Sequence, residues 1–192
     1  MKQKLLLTLL LIFTIKLFSQ DSKFTFEANY PTPIDNNFLG KESYGIIDVG
    51  LKYKAVDIKP VKLGISLNGG VLINNSNQNN GPLDFLVTTY TIQPKGFAEL
   101  NINAIKKLKP FIGLGYTFMI FQVSGTNNGF DVSGESETQS GFGTNLGIAY
   151  DISNKLFIQV QYDFTKLNVD NVPDIKYNTN VNLLKIGLGL KI

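Results

Sequence analysis

Nine ionisable residues stand where they could do chemistry. Glu27, Asp48, Lys52, Lys54, Lys62, Lys95, Glu99, Asp163 and Lys185 fall on the polar phase of stretches whose alternate positions are apolar. Carboxylates and ammonium groups collected on one such face can neutralise one another, line a path for an ion or, as a carboxylate pair across a cleft, serve as acid and base. The rest of the chain narrows the choice. It contains no histidine, the usual general base near neutral pH and the commonest transition-metal ligand, and no cysteine for thiol chemistry or disulfides. Every cationic residue is lysine, so a bidentate guanidinium clamp for phosphate is also absent. Serine and aspartate are present, but no spacing supplies the base that would activate a nucleophile, and the expectation is a non-enzymatic protein without a cofactor.

The elements that must position these residues are strands. From Asn182 to the end, Leu184, Ile186, Leu188, Leu190 and Ile192 alternate with Lys185, Gly187, Gly189 and Lys191, a period of two that gives a strand one greasy and one polar face. The pattern recurs about eight times, as expected of a small barrel. Phe24, Phe26, Ala28 and Tyr30 begin it, followed by Ile47, Val49, Leu51 and Tyr53 and then by Leu63, Ile65, Leu67, Val71 and Ile73. A fourth strand is expected over Gly96–Ala104, with Phe85–Ile92 as its protruding extension, and a fifth over Phe111–Val123. The sixth carries Phe142, Leu146, Ile148 and Tyr150, and the seventh Leu156, Ile158, Val160, Tyr162 and Phe164. Polar tracts at 31–44, 74–84, 124–140 and 166–181 read as long loops, and 57–60, 105–110 and 151–155 as short turns. Long and short connections alternate along the chain.

Lys2 and Lys4 precede the apolar run Leu5–Ile15, which is too short for a membrane-spanning helix of about 20 residues. Residues 1–20 are therefore expected to be a signal peptide cut near Ser19 or Gln20, leaving 21–192 as one domain. The net charge of +3 resides in that leader, through Lys2, Lys4 and Lys16. Without it acids and bases balance, and no nucleic-acid partner is expected.

Two arrangements satisfy the alternation. A water-soluble barrel turns its apolar face inward, whereas a membrane barrel turns it out. Here the polar face is rich in Gly, Ala, Ser, Thr and Asn, small enough to fill a narrow tube, and the greasy face is bulky. Phe24, Tyr30, Tyr53, Phe142, Tyr150, Tyr162 and Phe164 are expected to form its interfacial aromatics. The fold expected is all-β, an eight-stranded antiparallel transmembrane β-barrel with long extracellular loops, short periplasmic turns and both termini periplasmic. The nine ionisable residues then become a charge network that fills the lumen, since a tube of this size has room for little more than side chains.

The segments KPFIGLGYTF (Lys109–Phe118), AYDISNKLFIQVQYDF (Ala149–Phe164) and NLLKIGLGLKI (Asn182–Ile192) resemble the outer-membrane β-barrel domain family of OmpA-like and opacity-type porins. The arginine-free, Asn-rich composition and the FSQ leader exit look like its Bacteroidetes branch. The resemblance implies a place in the outer membrane, among lipid and lipopolysaccharide, and insertion by the barrel-assembly machinery. It implies no single activity. The family's last strand usually ends on an aromatic, whereas this chain ends on Ile192.

The function expected is envelope-structural or surface-interacting, with a possible surface ligand held by the loops. A narrow porin or small-solute channel is one alternative, and a barrel subunit of an envelope or secretion complex another. Asp131, Glu135 and Glu137 offer oxygen ligands in the third loop, but their spacing does not match a calcium loop and no metal is expected. Gly113, Gly115, Gly187 and Gly189 lie within alternating strands with no helix following, which suits small lumen-facing positions better than a nucleotide loop.

Overall fold

The computed structural model describes residues 23–41, 43–77, 83–127, 130–131, 133–134, 136–169 and 172–192. The expected leader, with its cut near Ser19 or Gln20, lies outside the described residues, as does Glu135. The strands are β1 (Phe24–Pro33), β2 (Ser43–Ile58), β3 (Val61–Asn77), β4 (Leu83–Leu100), β5 (Leu108–Asn127), the two-residue β6 (Phe130–Asp131), β7 (Ser136–Asp151), β8 (Leu156–Asn168) and β9 (Asn180–Lys191). A short helix, α1 (Lys176–Thr179), precedes β9. Every pairing is antiparallel and joins successive strands, except that β5 passes over β6 to pair with β7, and β1 closes the ring on β9 from Thr25↔Lys191 to Pro33↔Leu183. The small β6 pairs only with β5, so the barrel proper has eight strands.

Exposure decides which way the wall faces. Ile65, Leu146 and Ile186 are 64%, 61% and 59% exposed, whereas Glu27, Asp48 and Lys185 are 0% exposed. Apolar side chains outside and ions inside reverse the arrangement of a soluble barrel and suit hydrocarbon as the surrounding solvent. Where the alternation slips, a bulge explains it. The β2–β3 register shifts between Gly45 and Ile47, and both Ile46 and Ile47 point outward.

The three short connections, 59–60, 101–107 and 152–155, share one end with Lys23 and Ile192, here called the turn end. The other connections gather at the opposite, loop end. Strand lengths are uneven, with β3, β4 and β5 at 17, 18 and 20 residues and β1 at 10. A tilted strand crosses a bilayer with about 9–11 residues, so β3, β4 and β5 continue well past it at the loop end.

That extension corrects part of the loop assignment. The tract 74–84 was expected as a loop, yet Asn74–Asn77 pair with Asp84–Val87, and β5 runs on to Asn127 against Leu83. Phe85–Ile92 is the strand extension expected of it. At the other end the fourth strand stops at Leu100 rather than Ala104, because the chain turns through a 3-10 helix at Asn103–Ile105.

Candidate functional site

The lumen is filled in decks. In the middle, Lys185 on β9 extends its ammonium to Asp48 Oδ2 of β2 at 2.7 Å and to Asp163 Oδ2 of β8 at 3.0 Å. Lys95 on β4 meets the same Asp163 oxygen at 2.9 Å. Both ammonium groups also donate to Gln93 Oε1, at 2.9 Å from Lys185 and 3.3 Å from Lys95. Asp48 Oδ1 accepts from Asn29 at 3.0 Å and Asn68 at 3.2 Å, and Asp163 Oδ1 accepts from Gln161. Two lysines and two aspartates thus form a neutral cluster whose remaining lone pairs are taken by amides, the condition under which buried ions are tolerable.

Toward the turn end, Lys52 pairs with Glu27 at 2.5 Å and lies over the Phe111 ring at 4.1 Å from its centroid. Phe97, Phe111 and Phe157 all point inward at this level and are buried. Each ring rests on a glycine directly across the ladder: Phe97 on Gly64, Phe111 on Gly147 and Phe157 on Gly189. A methyl group at any of the three glycines would stand within 3 Å of the facing ring. A cavity of about 10 Å³ remains beside Thr25, Glu27, Lys52 and Gln159, room for about one water. Below it, Lys54 pairs with Glu99 at 3.0 Å, and Asp151 is clasped by Lys109 at 3.0 Å and Lys191 at 2.5 Å.

The third deck closes the loop end and is apolar. Leu72, Met119, Leu167, Val181 and Leu183 turn into the barrel, and Leu39 of the first connection is inserted among them. Asn37 shapes that connection, with its Oδ1 accepting from the backbone of Leu39 and Gly40 and its amide donating to the Asn180 carbonyl. The backbone N–H of Phe38 reaches the Tyr177 carbonyl at 3.4 Å, which ties the lid to α1. Replacing Leu39 with Ala should lower barrel stability by about 2–5 kcal/mol, the usual loss for a fully buried leucine, read as a lower temperature for the heat-dependent gel-mobility shift.

Eight of the nine ionisable residues expected in the lumen therefore gather into two groups. Glu27, Asp48, Lys52, Lys95, Asp163 and Lys185 lie in the interior, and Lys54 and Glu99 lie at its turn-end mouth. Lys62 is the exception. It stands at the rim, paired at 3.4 Å with a half-exposed Asp57 rather than with the interior cluster. The seven aromatics all lie on the outward face, with Tyr53 and Phe164 half-buried and the others exposed. Phe24 stacks on Tyr53 at 4.9 Å near the turn end, and the Tyr162 hydroxyl donates to Asn182 nearer the loop end. Of the loop acids, Glu137 accepts from Gln139 at 3.0 Å. Phe97 and Phe157 lie on the polar phase of their strands, and the apolar deck follows such a phase too: Met119 follows Thr117, and Leu167 follows Thr165, at an interval of two.

Residues 5–191 match the outer membrane protein beta-barrel domain family. No curated protein sequence matches the chain. Among solved structures it is similar to Neisserial surface protein A, with 14% identity, a TM-score of 0.59 and coverage of 89% of this chain and 98% of that one. It is also similar to Ail of Yersinia pestis in complex with the heparin analogue sucrose octasulfate, at 13% identity, TM-score 0.58 and 87% and 95% coverage. OprG of Pseudomonas aeruginosa matches at 12% identity, TM-score 0.55 and 88% and 95% coverage. At such identities the likeness is one of fold.

Proposed function

The chain belongs to the outer membrane protein beta-barrel domain family, and from that premise we propose that it is a non-enzymatic barrel of the bacterial outer membrane with a sealed lumen, whose role is envelope-structural or surface-interacting. The observation that carries this reading is the stack of three decks. Phe97, Phe111 and Phe157 close the turn end, the Lys95, Lys185, Asp48 and Asp163 cluster fills the middle, and Leu39 and its neighbours close the loop end. Solute has no wide route through. The broad concavities lie instead on the outer wall, as in the groove of about 760 Å³ lined by Phe24, Leu51, Tyr53, Ile65 and Leu67, where acyl chains fit.

Short turns on the same side as Lys23 and Ile192 suit a periplasmic turn end, with the loop end facing out of the cell. There the β3–β4–β5 extension and the pinned lid form a platform beside lipopolysaccharide and other surfaces. Among the described residues Asp35, Glu137 and Asp174 are balanced there by Lys41, Lys166 and Lys176, so the platform has no strong charge of either sign.

Replacing residues 172–178 by a tight turn tests the reading. Adhesion or envelope integrity should fall while the heat-dependent mobility shift persists; unchanged adhesion and envelope phenotypes would count against a loop-end role. In planar bilayers the intact barrel should give no steady large conductance, and steady channels would favour a narrow porin instead. Insertion by the barrel-assembly machinery should tolerate an aromatic end: Ile192→Phe is expected to insert as well as the native chain or better, measured as folded barrel in the outer-membrane fraction.

A further inference from the structure

The two rims of the barrel differ in charge, and the turn end is the unusual one. Among the described residues its side-chain carboxylates are already occupied, Glu99 by Lys54, Asp57 by Lys62 and Asp151 by Lys109 and Lys191. The rim also carries the exposed side chains of Lys23, Lys59, Lys106, Lys107 and Lys155. Their positions are spread around the ring: Lys23 precedes β1, Lys59 lies in the β2–β3 turn, Lys106 and Lys107 lie between β4 and β5, and Lys155 lies between β7 and β8.

An exposed isoleucine also stands within three residues of the lysine of each turn. Ile58, Ile105 and Ile152 are 65%, 53% and 48% exposed. The Lys107 ammonium lies 6.0 Å from the centroid of Tyr150, an outward-facing aromatic of the wall, which brings the charged collar to the level where that wall ends. An apolar side chain with an ammonium next to it is the arrangement by which a protein dips into hydrocarbon while its charge reaches the headgroups.

We infer that the turn end is a docking collar for anionic phospholipid headgroups in the leaflet that it meets. A point ligand would call for convergent groups on one side of the rim. Cations distributed around the full circumference, at the edge of an apolar wall, match a charged plane surrounding the barrel. Lysine suits that task because its compact charge on a flexible stem follows mobile headgroups without requiring a fixed geometry. This inference concerns the turn end alone and stands or falls separately from the role of the loops.

The test is lipid selectivity of the folded protein. The full barrel is reconstituted in phosphatidylcholine vesicles, and the motionally restricted fraction of spin-labelled phosphatidylglycerol is compared with that of spin-labelled phosphatidylcholine. The native chain should prefer phosphatidylglycerol by about fivefold for each lysine–headgroup contact formed, a preference that salt weakens. Changing Lys23, Lys59, Lys106, Lys107 and Lys155 together to Gln should bring the ratio close to one, while the five Lys→Arg changes preserve it. All five side chains are exposed, and the heat-dependent mobility shift verifies that each variant has folded. No preference in the native barrel would overturn the collar and leave this rim to an acidic protein or polymer. A preference undiminished in the Gln variant would overturn it too, by locating the selectivity elsewhere.

Discussion

Replacing Lys185 with Met is expected to destabilise the barrel by about 3–5 kcal/mol, the range for breaking a buried ion pair by removing one partner. Lys185 is fully buried, and its ammonium is the one cation that touches both Asp48 and Asp163 among the described residues. Without it Asp163 keeps Lys95 at 2.9 Å, but Asp48 retains only the amides of Asn29 and Asn68. A carboxylate held away from water by neutral donors alone is the costly species. Urea unfolding in vesicles reads the loss directly. Lys166→Met serves as the comparison, because Lys166 and Asp174 pair at 3.2 Å with both side chains more than half exposed, and such a pair contributes about 0–1 kcal/mol.

A second substitution separates charge from shape. In the Lys185→Met, Asp48→Asn double variant the cluster is neutral again, with Lys95 and Asp163 still paired, and much of the loss should return. A single variant that costs no more than the exposed comparison would mean that water reaches the cluster, and the sealed lumen would have to be abandoned. If the double variant is as unstable as the single one, the loss lies in the ammonium's contacts with Gln93 and Asp163 rather than in a charge stranded at Asp48.

The wall of the barrel was legible in the sequence because lipid outside and polar groups inside impose opposite demands on alternate residues, as Leu184–Ile192 illustrates. Beyond the bilayer both faces of a strand meet water, so the polar run Asn74–Asn77 carries no alternation to read even though its backbone is fully laddered. The bulge that turns Ile46 and Ile47 out together is likewise a property of the ladder rather than of either residue. Inside the lumen the residue types were legible and their partners were not. Lys95 on β4 meets Asp163 on β8 across the interior, a pairing set by strand number and register. Lys62 shares its phase with the interior lysines yet lies too close to the turn for its charge to remain inside. The apolar deck escaped notice because Leu72, Met119, Leu167 and Leu183 look misplaced on a polar face until Leu39 is known to cover them.

The same register dependence underlies the second large effect, at Gly189. A Cβ placed there would lie 1.9 Å from the Phe157 ring, with no room for both. The ring is held between the lumen contents and the ladder, so it cannot simply swing outward. Gly189→Ala should therefore cost about 1–3 kcal/mol through overpacking. Gly96 provides the contrast: the nearest atoms to a Cβ there are backbone oxygens at 3.9 and 4.0 Å, and Gly96→Ala should be close to neutral. Removing the ring alone, as Phe157→Ala, opens a hole and costs about 3–5 kcal/mol. Combining Gly189→Ala with Phe157→Ala should be less damaging than the sum of the two, because the added methyl occupies space that the ring has vacated. A double-mutant cycle on the urea midpoint would show that coupling as a deviation of about 0.5–3 kcal/mol from additivity. Strict additivity would mean that Phe157 and Gly189 act independently, and the ring-on-glycine deck would then be three buried phenylalanines with no shared packing rule.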